Sequence, residues 1–226
     1  MEFMPNLDYQ LIRSSRRTIA LIIRNGNLIV RAPRRADLGE IERFIRAKQG
    51  WINKHLTKAA DRQSRAKKYK EGEKFWFLGQ EYPLYITDDY RSKLFYNQEH
   101  FVLSRFQIHK AKLLFENWYR VQAKKILAER AIFFADKMGL SYKKITITGA
   151  NTRWGSCSSR GTINFSWRLI MTPPEIVDYV TVHELAHLAH HNHSKSFWAF
   201  VKNFFPGFKS AKKYLKEKGH EFVLAD

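Results

Sequence analysis

The residues best placed to do chemistry are His183-Glu184-Leu185-Ala186-His187. On a helix, residues four apart are neighbours, about 6 Å apart at Cβ, so both imidazoles project from one face. Two adjacent corners of a tetrahedral Zn²⁺ require that separation. Glu184 lies roughly 100° round the helix from His183, beside such an ion without completing its coordination. A carboxylate there suits a general base for hydrolysis by metal-activated water. Five of the nine histidines fall between positions 183 and 193.

A catalytic zinc site takes three protein ligands and keeps one position for water. Candidates for the third are His190, His191, His193, His220 and carboxylates further away. His190 and His191 fall on the last turn of the helix, too far along its axis to rejoin the metal. His193 is six residues past His187, the spacing at which a chain that leaves a helix and turns back supplies a ligand. Asn192 is the expected left-handed turn residue. The metzincin pattern shares that offset but has glycine where this chain has His190. The expected cofactor is one Zn²⁺ on His183, His187 and His193.

These side chains need a firmly started helix. Thr172-Pro173-Pro174-Glu175 matches a capping box with proline at the first helical position, and it predicts a helix opened by Thr172. Ile176 and Val180 share the face of His183, which turns that face toward a core. Ile145–Thr148, Thr152–Cys157 and Thr162–Ile170 read as strands, the last two joined by the turn-rich Ser158-Ser159-Arg160-Gly161. Before them, Leu114, Trp118, Val121, Ile126, Ala128, Ile132, Ala135 and Met138 recur at three- to five-residue steps. This predicts a helix over 109–138, closed by Gly139.

Arg153, on the strand pair before the active helix, is the candidate substrate-binding residue, for a carboxylate, a phosphate or a developing oxyanion. The simpler structural role is an ion pair with a nearby carboxylate. Cys157 reads as a small buried residue in preference to a fourth zinc ligand. Trp154, Phe165, Trp167 and Trp198 read as core.

The motif His183–His187, followed by Asn192-His193-Ser194 and Phe197-Trp198 and preceded by Arg153-Trp154-Gly155-Ser156-Cys157, resembles the YgjP-like family of zinc metallopeptidases. That family is similar to the WLM and SprT-type zincins. The resemblance covers most of the chain and is densest from Asn151 to Trp198. It implies His183, His187 and His193 as ligands and Glu184 as the catalytic carboxylate. It also implies that an extended peptide pairs with Thr162–Ile170 or its partner strand, by β-augmentation.

The first hundred residues read differently. Residues 18–32 are two β-rich runs around Asn25-Gly26, a strong hairpin signal. Leu38 to Leu56 reads as one helix with a loose apolar period. Residues 57–74 are a basic stretch, either a solvated helical extension or a connector. Short β runs follow at Lys74–Leu78, Tyr82–Thr87, Lys93–Tyr96 and Phe101–Ser104. The expected fold is α+β. A β-rich module with one helix (1–105) precedes a zincin-like domain (106–226) with a long helix, a small mostly antiparallel sheet and the HExxH helix.

Forty Lys and Arg against 21 Asp and Glu leave a formal net charge of +19, and residues 1–72 hold 17 of the basic side chains. A field of that sign favours anionic partners. One cysteine excludes an intrachain disulfide framework and fits a reducing compartment. With no signal-peptide pattern and no apolar run long enough to span a bilayer, the expected location is cytoplasmic, without membrane association.

Three functions fit. A zinc-dependent peptidase acting on peptide or protein explains the motif. A metal-dependent nucleotide phosphoanhydride hydrolase explains the charge and Arg153, although no Walker-type loop is present. A protease domain recruited to nucleic acid by a basic module explains the charge distribution.

Overall fold

The computed structural model describes residues 8–24, 26–64, 67–222 and 224, with the backbone alone for 61–64. The chain divides into two compact units that meet at Lys67/Lys68.

In the first unit, β1 (Tyr9–Ser14), β2 (Ala20–Arg24) and β3 (Asn27–Pro33) form a sheet in the order β1-β3-β2. β2 and β3 are the expected hairpin; Gly26 has φ 76°, and Asn25 lies outside the described residues. β1 runs parallel to β3. The expected single helix is two, α1 (Leu38–Ala47) and α2 (Gln49–Ser64). The chain breaks at Lys48, with φ −107° and ψ 12°, which explains why the apolar period over 38–56 was loose. Asp37 caps α1, its carboxylate accepting from Glu40 N at 3.3 Å. Leu28, Val30 and Ala32 alternate inward from β3 against Ile41, Ile45 and Ile52.

The second unit, Lys68–Leu224, holds the HExxH motif. β4 (Lys74–Phe77), β5 (Gln80–Thr87), β6 (Leu94–Tyr96) and β7 (Phe101–Ser104) lie in the order β4-β5-β7-β6, with β5 and β7 parallel. A short 3-10 turn leads into α3 (Ala111–Met138), whose C-cap is Gly139 at φ 63°. Phe75 of β4 and Phe101 of β7 pack on Phe115 of α3, with ring centroids 4.0 and 5.2 Å apart. This shared aromatic core puts residues 74–104 in the unit with the motif, so the compact units do not meet at the expected 105/106.

The buried face of α3 also differs from the expected stripe. Ala111, Phe115, Tyr119, Ala123, Leu127 and Ala131 face inward, whereas Val121 and Ile132 are more than half exposed. This row, spaced four residues apart, mixes Phe115, Tyr119 and Leu127 with three alanines. The apolar residues on the helix's other side disguise that row.

β8 (Lys144–Thr148), β9 (Gly155–Cys157) and β10 (Thr162–Ser166) form the sheet beside the motif, in the order β8-β10-β9. The sheet is mixed, not mostly antiparallel: β8 runs parallel to β10, and only β9 opposes it. The strand expected to reach Ile170 ends at Ser166 and continues as a 3-10 turn, Trp167–Met171. Then come α4 (Pro174–Ala186), α5 (Lys195–Phe204) and α6 (Phe208–Lys218).

The capping box does not form. Pro173 is the N-cap of α4, and the Thr172 hydroxyl donates back to Leu169 O at 2.7 Å. Two prolines set the extended-to-helical switch without a side-chain cap. The turn between β4 and β5 fixes this start: Leu78 N and Gly79 N donate to Ile170 O and Met171 O. Gly79 has φ 80°, and a Cβ there would sit 2.8 Å from Pro173, so only glycine satisfies both the conformation and the approach. α4 is buried on nearly every side. Arg130 of α3 forks onto its Asp178, at 2.6 and 2.8 Å.

Candidate metal centre

Helix α4 delivers His183 and Glu184 in its last turn and His187 at its C-cap. The chain then tightens; Leu188 N and Ala189 N bond three residues back, and His190 N reaches Ala186 O. It bends back through His191 and Asn192 to Ser194, which caps α5 by accepting from Phe197 N at 3.3 Å. Asn192 is not left-handed, since its φ is not positive; the reversal is spread over several ordinary residues. The result brings His193 back to His183 with Nε2 to Nε2 at 3.1 Å.

Nitrogens of His183, His187 and His193 all lie within 4.8 Å of one another. In a tetrahedral zinc site with bonds of roughly 2.0–2.1 Å, two ligand nitrogens stand about 3.3 Å apart. The observed 3.1 Å between His183 and His193 matches that edge, so the three residues fit a shared zinc ion. Burial and the neighbouring imidazoles push His183 down to about 3, and burial also lowers His187. Both are therefore neutral near pH 7, the form that ligates a metal. His190, His191, His220 and Cys157 are not part of this cluster.

Two supports escaped the sequence. The backbone oxygen of His190 lies 3.1 Å from His187 Nδ1; accepting its proton leaves Nε2 bare for a metal. A carbonyl has no residue signature, so no motif could reveal it. Phe197 is fully buried and its ring lies 5.0, 4.6 and 4.8 Å from the rings of His183, His187 and His193. It is the apolar wall against which all three stand. Trp198 stacks on His193 at 5.6 Å, with Lys212 over its own ring.

Glu184 is 5% exposed and packs against β9. A Cβ on Gly155 would meet Glu184 Cγ and Oε1 at 2.6 Å, so only glycine leaves the carboxylate its place. Burial pushes Glu184 up to about 8, and the positive charge of Arg153 opposes that. A dication beside it would act in the same direction as Arg153. Arg153 is exposed, has no ion-pair partner among the described residues, and lines a cleft of about 250 Å³ with Thr148, Ser156, Asn164 and Ser166. The expected aromatic core holds for Phe165 and Trp167, while Trp154 and Trp198 are partly buried.

No helix among the described residues is long and apolar enough to cross a membrane. No curated protein matches the chain. Among solved structures, the metallopeptidase zymogen abylysin of Pyrococcus abyssi is 25% identical, over 42% of this chain and 93% of its own, with TM-score 0.35. The metallopeptidase zymogen jannalysin of Methanocaldococcus jannaschii is 19% identical, over 42% and 95%, with TM-score 0.36. The YgjP-like metallopeptidase domain model matches residues 17–218, and the chain, a metal-dependent hydrolase, belongs to that family.

Proposed function

We propose that this metallopeptidase holds one Zn²⁺ on His183, His187 and His193 and cleaves peptide bonds with Glu184 as general base. The observation that carries the reading is the convergence of three imidazoles beside a buried carboxylate that no hydrogen bond among the described residues engages. When bound, the metal supplies Lewis acidity toward water and the scissile carbonyl. Glu184 takes the proton of the attacking water and passes it to the leaving amine nitrogen. Gly155 keeps the carboxylate in place, and the His190 carbonyl holds His187 in the ligating tautomer.

β9 supplies the substrate rail. Ser166 N donates to Trp154 O and Ser158 N to Thr162 O, so residues 154, 156 and 158 turn their backbone groups toward β10. By alternation, Gly155 and Cys157 turn theirs to the outer edge, where no strand pairs among the described residues. An extended peptide adding to that edge passes directly beside Glu184. β10 is central in the sheet and offers no free edge. Arg153 stands at the start of this rail as a substrate contact.

The single cysteine fits action in a reducing, cytoplasmic setting. The family does not support nucleotide or nucleic-acid partners; those readings rest on net charge and, for the nucleotide, on Arg153. The test is Glu184→Gln. The variant should retain one equivalent of zinc by metal analysis and lose at least 10²- to 10⁴-fold in peptide turnover. Wild-type turnover in the zinc-loaded variant would remove Glu184 from the chemistry.

A further inference from the structure

We propose that the polar cleft on the far face of β9 is a specificity subsite for an acidic side chain of the peptide, read by Arg153. This inference rests on the peptidase reading and names its substrate class.

Successive side chains of a strand point to opposite faces. The Cβ direction of Gly155 leads to Glu184, so Ser156 points to the other face, where it meets Asn164 across the β9–β10 register. Ser166 and Thr148, paired across β10 and β8, continue that face. Together with Arg153 they line the cleft. A peptide paired along the β9 edge alternates in the same way. One side chain turns toward the metal side, and its neighbour turns into the cleft.

The lining decides what that neighbour is. No carboxylate lines the cleft, and Arg153, whose positive charge also reaches Glu184, brings an exposed guanidinium that forms no ion pair among the described residues. The Ser166 hydroxyl is committed to Ala150 O at 2.9 Å. Asn164 Nδ2 donates to Ser156 Oγ at 3.2 Å, which leaves the Ser156 proton and the second Asn164 amide proton for a ligand. Two neutral donors and a guanidinium suit the two oxygens of a carboxylate. The cleft, at about 250 Å³, lies below the roughly 300–1,000 Å³ of pockets that enclose whole small molecules. It accommodates a side chain better than a nucleotide.

The experiment uses the zinc-loaded full-length Glu184→Gln protein, which binds without turnover. Labelled peptides carrying one Glu, scanned through each position, are compared by anisotropy with the matching Gln series. At one position the Glu peptide should bind about tenfold tighter. Arg153→Gln should abolish that preference, and Arg153→Lys should restore part of it. Equal binding of the two series, or a preference that survives Arg153→Gln, overturns the inference. So does nucleoside triphosphate displacing the Glu peptide more strongly than a free Glu dipeptide does. Failure of the peptidase reading is seen separately, as no peptide hydrolysis by zinc-loaded wild type.

Discussion

Replacing Gly155 with alanine should disable the proposed catalysis while leaving the metal in place. The added methyl carbon would stand 2.6 Å from Glu184 Cγ and Oε1 and 2.8 Å from Cδ. Ordinary carbon contacts begin near 3.4 Å, so the side chain must retreat by about 0.8 Å or more. Rotating the carboxylate alone does not relieve this, because Cγ is itself in the clash. Glu184 is 5% exposed and has little room behind it, while β9 is tied to β10 on its inner edge. A displacement approaching 1 Å of a proton-transferring group costs about 100-fold in rate, and the overpacking costs about 1–3 kcal/mol of stability. The three atoms nearest to that methyl carbon all belong to Glu184, so zinc content should stay at one equivalent. The assay is kcat on a peptide substrate, with metal analysis and thermal unfolding on the same preparation. Gly50→Ala is the control. A Cβ there meets nothing within 4 Å, and removing a helical glycine should stabilise by about 0.5–1 kcal/mol with kcat unchanged. A folded, zinc-loaded Gly155→Ala protein with wild-type kcat would refute the reasoning.

His193→Ala should weaken zinc binding by more than the roughly 10–100-fold that loss of a supporting contact costs, measured by competition with a chelator; unchanged affinity would exclude His193 as a ligand. Alkaline unfolding should begin near pH 10, followed by circular dichroism against pH. Tyr119 is fully buried, donates to Trp76 O at 2.6 Å and is held well above its ordinary value by burial. An unfolded tyrosine ionises near 10, so the folded chain keeps a proton the unfolded chain loses. Stability is therefore full below about pH 10 and falls as pH rises beyond it. Tyr119→Phe should flatten that decline, at the expense of the hydrogen bond, and an equally steep decline in the variant would locate the effect elsewhere.

Much of this protein is local, and local features were legible. The candidate ligand pair and the glutamate beside it follow from helical spacing at 183–187. The strands at 74–104 follow from short β-rich runs between turn residues, and the end of α3 follows from Gly139. His193 was reachable because only six residues separate it from His187. The same logic failed where two local signals compete. Thr172 looks like a cap, yet its hydroxyl bonds Leu169 because Pro173 already sets the extended residue. Apolar Val121 and Ile132 looked like core, yet the packing buried the row of Phe115, Tyr119, Ala123 and Leu127 instead.

The sequence by itself pointed to a metal-binding motif and turned the face of α4 that carries it inward, because helix geometry converts spacing into direction. Only the tertiary structure decided what those residues can do. Residues 74–104 joined the unit with the motif because Phe75 and Phe101 needed Phe115, a contact no local pattern encodes. Gly155 met Glu184, 29 positions away in the chain, because β9 passes the end of α4. The His190 carbonyl and the Phe197 ring fix three imidazoles through backbone direction and packing, which residue type and spacing do not carry.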